Sequence, residues 1–178
     1  TTFLVAQSGV TYAAGSMDNG RLGVGLLTRD YPQWYRLLGP PFRSIHSGSV
    51  SSCGISKDHL LFSWGKAKYN GHTITDDVVY PRCLSQLGRV LLASMSGGGY
   101  HTVVLTASGT VWVWGHNRVG QLSVGHNFNA GENYETVFER NRQMDNHAVP
   151  FPVQLTRWKP FSILYVLAGW GNTLVIDS

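Results

Sequence analysis

Short runs that mix apolar with small polar residues recur along this chain, and three of them close on a glycine. Val10-Thr11-Tyr12-Ala13-Ala14 precedes Gly15, Leu60-Leu61-Phe62-Ser63-Trp64 precedes Gly65, and Thr110-Val111-Trp112-Val113-Trp114 precedes Gly115. Runs of this length, rich in β-branched and aromatic residues, predict strands. Another short apolar run stands before each: Thr2-Phe3-Leu4-Val5, Ser52-Cys53-Gly54-Ile55 and Thr102-Val103-Val104-Leu105. Ser8-Gly9 and Ser108-Gly109 join two of these pairs, and Asp58-His59 joins the middle one, so each pair reads as a hairpin. Helical spacing is missing nearly everywhere. The exception is Glu132 to Arg142, where Tyr134 with Phe138 and Glu135 with Glu139 permit a short helical turn.

These markers keep a period. Gly15, Gly65 and Gly115 are spaced by 50, as are Thr2, Ser52 and Thr102. Glycine-bearing turns follow, with Gly20 and Gly120 in the first and third copies and a divergent Asn70-Gly71-His72 in the second. A proline then introduces another strand, at Pro40-Pro41-Phe42, Pro81 and Pro150. A last strand ends in a glycine step, at Gly48, Gly97-Gly98-Gly99 and Gly169. Four short strands per repeat of about 50 residues, with no helix, is the arithmetic of a β-propeller blade. The expected fold is all-β, with about three blades of four antiparallel strands forming a partial propeller. The expected organisation is one partial propeller over 1–178, with repeats at 2–51, 52–101 and 102–172 and the start of a fourth at 173–178. The third repeat is longer, because 71 residues separate Thr102 from Thr173, and the excess falls in an insertion at 126–147.

Composition agrees with this reading. The 178 residues include 21 glycines and are 43% hydrophobic but only 13% charged, which excludes a disordered or long solvated helical chain. No apolar run approaches the roughly 20 residues of a membrane helix. The opening Thr1-Thr2-Phe3-Leu4-Val5 does not read as a secretory leader. Two cysteines, Cys53 and Cys83, cannot form a disulfide framework and read as reduced thiols of an intracellular protein, nuclear or cytoplasmic. The net charge is +4, but the basic residues are dispersed from Arg21 to Lys159, which argues against a dedicated nucleic-acid face.

Trp64-Gly65, Trp114-Gly115, the stretch Asn117 to Gly125, and Gly98-Gly99-Tyr100-His101-Thr102 resemble the repeat of the regulator of chromosome condensation family. The third copy is closest to that repeat, and the second keeps little beyond Trp64-Gly65. The resemblance implies a seven-bladed propeller and, for His101, a structural hydrogen bond within the blade. It implies two further activities: nucleotide exchange on a Ran-like small GTPase, and attachment to chromatin. Three blades leave two faces bare, at a cost on the order of 10 kcal/mol each. The chain is therefore expected to be part of a longer polypeptide or of an assembly.

Catalytic constellations are absent from the sequence. The seven histidines include no helical pair at metal-ligand spacing, Gly97-Gly98-Gly99 lacks the lysine of a phosphate loop, and Asp76-Asp77 reads as a solvated pair. No catalytic, cofactor or metal residue is assigned and no cofactor is expected. The expected function is a non-catalytic scaffold for protein partners. The candidate partner-binding residues lie in the insertion, where Phe128, Tyr134, Phe138, Arg140 and Arg142 supply aromatic and arginine anchors. The structural repeat positions are Gly15, Gly65, Gly115, Trp64, Trp114, Gly20, Gly120, Thr2, Ser52, His101, Thr102 and Thr173, and Trp112 is read as a further packing residue.

Overall fold

The computed structural model describes residues 1–25, 33–117, 120–124, 148–155 and 163–177. Four antiparallel sheets are formed among them. The first holds β1 (Thr2–Val5), β2 (Thr11–Ala14) and β3 (Tyr35–Arg36). The second runs β4 (Phe42–Ser47), β5 (Ser51–Ser56), β6 (Leu61–Gly65), β7 (Val78–Cys83), and the third runs β8 (Leu92–Gly97), β9 (His101–Thr106), β10 (Val111–His116), β11 (Ala148–Leu155). β12 (Ile163–Ala168) and β13 (Thr173–Asp177) form the fourth. Each sheet is a meander with sequential neighbours paired. No α-helix occurs among the described residues. The sequence period and the sheets are one strand out of phase, since β1, β5, β9 and β13 carry the equivalent residues Thr2, Ser52, Thr102 and Thr173.

Packing between successive sheets explains why β5 and β9 are buried almost throughout rather than on alternate residues. Val104 of β9 packs with Cys53, Ile55, Leu61 and Met95 at the junction with the second sheet. Its neighbours Val103 and Leu105 point the other way and pack with Val166 and Ile163 of the fourth. Trp64 joins Phe42 and Phe3 between the first and second sheets. A strand covered on both faces needs apolar residues at consecutive positions. The outer strands β7 and β11 carry Pro81, Pro150 and Pro152, which lack the N–H needed to extend a sheet.

One expectation for the first repeat is corrected. The strand introduced by Pro40-Pro41-Phe42 and the last strand ending at Gly48 are one strand, β4, the first of the second sheet; the outer position of the first sheet is filled by the two-residue β3. Cys53 is buried in the core, whereas Cys83 is half-buried, and both are free thiols. Burial pushes the Cys53 thiol up to about 12.

Candidate functional site

The turns between first and second strands lie at one end of the sheets and are bonded to each other. Ser49 N donates to Gly99 O at 3.1 Å, and Gly99 N donates to Gly169 O at 3.0 Å. This backbone collar accounts for the glycines at 48 and 98. A Cβ on Gly48 would collide with the carbonyl oxygen of Gly98, and one on Gly98 with that of Gly169.

Above the collar, aromatic side chains run across three sheets. Tyr69 follows β6, Tyr100 sits in the turn before β9, His116 ends β10, and Trp170 sits in the turn before β13. Ring centroids are 5.6 Å apart for Tyr69 and Tyr100, 6.0 Å for Tyr69 and His116, and 5.5 Å for Tyr100 and Trp170. The pairs are edge-to-face, the arrangement that aligns ring quadrupoles favourably. Lys66 places its ammonium 5.9 Å from the Tyr69 ring centre. Gln121 Nε2 lies 2.7 Å from His116 Nδ1 and orients that ring. Trp170 is 69% exposed, the most of any large apolar residue described. Arg21 extends the surface over the first junction, bonding Ser49 O at 2.9 Å and pairing with Asp18 at 3.1 Å. The Ser16 hydroxyl and then Arg21 hold the Asp18 carboxyl below its usual value.

The repeat residues hold this surface in place. Ser52 Oγ donates to Arg21 O at 2.8 Å, and Trp64 Nε1 donates to the same oxygen at 2.9 Å. Two junctions later Thr173 Oγ1 donates to Gln121 O at 2.7 Å. His101 Nε2 lies 2.9 Å from Thr173 Oγ1, so its bond crosses to the next sheet instead of staying within its own. Gly15, Gly65 and Gly115 all have positive φ, at 121°, 111° and 104°. At Gly65 a Cβ would stand 2.5 Å from Val50 O. Gly20 and Gly120 also have positive φ. Thr2 and Thr102 pair with Ala14 and Trp114 across their hairpins. Trp64 and Trp114 are fully buried, and Trp112 is partly buried against the core of the second junction.

Phe128, Tyr134, Phe138, Arg140 and Arg142 lie outside the described residues, as does the expected turn at 132–142. The sequence sets Val50, Tyr100 and Trp170 at matching places in their repeats, but the partner-binding reading falls on the insertion and not on these residues. A Ser63–His72 pair was missed too. Ser63 Oγ lies 3.0 Å from His72 Nε2, but the hydroxyl donates to Asn70 O, so its proton is not aimed at the imidazole. Both residues are buried. The pair fixes the loop after β6 and is no nucleophile and base. No cluster able to hold a metal ion exists among the described residues.

The architecture defines the class: a partial β-propeller of four-stranded sheets with repeat-borne latches at its junctions. Comparison makes this particular. A profile of the regulator of chromosome condensation (RCC1) repeat matches residues 93–121. The ultraviolet-B receptor UVR8 of Arabidopsis thaliana is 28% identical over 98% of this chain and 36% of its own length. The RCC1 domain-containing protein 1 of Homo sapiens is 30% identical over 70% of this chain and 35% of its own. Among solved structures, Prp20p of Saccharomyces cerevisiae superposes with a TM-score of 0.76 at 18% identity, covering 98% of this chain and 41% of that one. The chain is a run of RCC1-type repeats folded as part of a propeller. It spans about a third of the length of these two curated relatives.

Proposed function

We propose that this chain is a non-catalytic protein-interaction module that engages its partner through the collar face. The observation that carries the reading is the aromatic run from Tyr69 through Tyr100 to the exposed Trp170, spanning three sheets. Tyrosine and tryptophan are enriched where proteins meet, because they bury large area with few rotatable bonds. The described loops of this face carry Asp18 and Asp77 beside Arg21 and Lys66. That balance favours a protein over a nucleic acid, which selects for clustered positive charge. Prp20p is described with its binding properties to Gsp1p and histones. Partners of the small-GTPase or histone kind are therefore the first to try here. The free buried thiol of Cys53 supports an intracellular setting. No helix among the described residues is long and apolar enough to cross a membrane.

The test is affinity capture with a small GTPase or histones as bait and with whole-cell extract. Trp170→Ala and Tyr100→Ala are expected to lose the captured protein, while Arg43→Ala, an exposed change on β4 outside this surface, retains it. Capture unaffected by both aromatic changes would refute the assignment.

A further inference from the structure

We propose that a groove at the opposite end of the sheets binds a short acidic segment of a partner protein, so that the propeller has a second recognition site independent of the collar face. The groove has a volume of about 330 Å³ and lies between the connection leaving the second sheet and the β9–β10 hairpin and β11 of the third. Its apolar wall is made by Leu87, Val90, Leu91 and Trp112. The polar part of the lining is Arg89, Gln154 and the residues Thr106, Ser108 and Thr110, whose hydroxyls are bonded to one another at 2.8 and 3.2 Å within their hairpin.

Three observations select an acidic peptide. First, among the described residues Arg89 is the one charged residue in the lining, and it has no ion pair or side-chain hydrogen bond with any of them. An unpaired guanidinium attracts a carboxylate, and a carboxylate meets no like charge among the described lining residues. Second, Leu91 is 62% exposed beside the indole of Trp112, which suits an aliphatic side chain next to the acid and not a bare inorganic anion. Third, Arg89 is not part of the repeat framework. The position 50 residues earlier holds Gly39, whereas Ser108 recurs as Ser8 and Thr106 makes the hairpin bond that Ser56 makes in the second sheet. The connection into the second sheet folds with glycine at that place, so folding does not require the guanidinium. Pro150 and Pro152 deny a ligand the outer edge of β11 as a pairing partner. Recognition must then come from side chains.

The probe is a fluorescein-labelled Ala-Glu-Leu-Glu-Ala peptide titrated with the whole chain and read by anisotropy, with circular dichroism confirming each variant's fold. Saturable binding weakened by about tenfold or more in Arg89→Glu and in Arg89→Gln, and kept in the charge-matched Arg43→Glu, is the expected result. Equal affinity in the Arg89 variants, or no saturation up to about 1 mM, overturns the proposal. Displacement by a short oligothymidylate more readily than by unlabelled peptide overturns it as well, assigning the groove to nucleic acid.

Discussion

At the scale of single residues, the departures between copies show what the repeat demands. The hairpin between the two central strands of a repeat needs a residue with positive φ. Gly9 and Gly109 supply it at 92° and 80°, but the middle copy has His59 at 64°. A β-carbon in the left-handed region costs roughly 1–2 kcal/mol, part of which glycine gives back in chain entropy. His59 Nδ1 is also buried without a partner. Replacing His59 with glycine is expected to stabilise the chain by about 1 kcal/mol, raising the midpoint of thermal unfolding by roughly 3 °C. A calorimetric scan showing an unchanged or lower midpoint would contradict the equivalence of the three hairpins. That equivalence was legible in the sequence, because Ser-Gly, Asp-His and Ser-Gly stand at one spacing. The Ser63–His72–Asn70 network was not legible, since it depends on how the divergent loop folds back over β6.

At the scale of elements, the question is what ties one sheet to the next. The first junction is latched by Ser52 and Trp64 on Arg21 O, and the third by Thr173 on Gln121 O with His101 behind it. The middle junction differs. Trp114 Nε1 is buried and has no partner among the described residues, so packing in the core of the second junction takes the place of the carbonyl latch. The spacing of Thr2, Ser52, Thr102 and Thr173 predicted equivalent strands, yet it could not predict this exchange, because the accepting carbonyl belongs to a loop whose sequence has diverged to Asn70-Gly71-His72. The third latch contains a titratable group. Burial pushes the His101 imidazole down to about 4, and burial also lowers His46 and His72. Each binds a proton less readily folded than unfolded, where the pKa is near 6.5. Between about pH 6.5 and 4 the unfolded chain carries the extra proton, so stability is full above that window and falls as the pH drops through it. His101 alone accounts for up to roughly 3 kcal/mol of this loss. Urea unfolding at a series of pH values is expected to show the decline, and His101→Gln is expected to flatten it. A stability that stays level from neutral pH to 4 would contradict the buried neutral imidazole.

At the scale of the whole molecule, the architecture was readable because a propeller writes the same element several times. Repetition averages out the ambiguity of any single short strand, and the markers at Gly15, Gly65 and Gly115 were enough to align the copies. The proposed interaction surface was harder to read, since its aromatic residues come from different copies and meet only when the collar stacks Gly48, Gly98 and Gly169. The same stacking leaves one consequence at the fourth sheet. Tyr165 and Ile176 are cross-strand partners, as are Leu167 and Leu174, and all four are exposed. Their counterparts on β9, Val103 and Leu105 for Leu174 and Ile176, are completely buried by the next sheet. At the other end Leu4 and Tyr12 are exposed on the first sheet. Contiguous apolar area of this kind drives association when nothing covers it. The 178-residue chain alone is therefore expected to self-associate, its sedimentation coefficient rising between about 1 and 100 μM. Leu174→Thr with Ile176→Thr is expected to reduce that rise and to leave the far-ultraviolet circular dichroism unchanged, because neither side chain is needed by the core between the third and fourth sheets. A chain that stays monomeric across the range, or a double variant that associates as strongly as the parent, would show that these strands do not behave as an uncovered blade face.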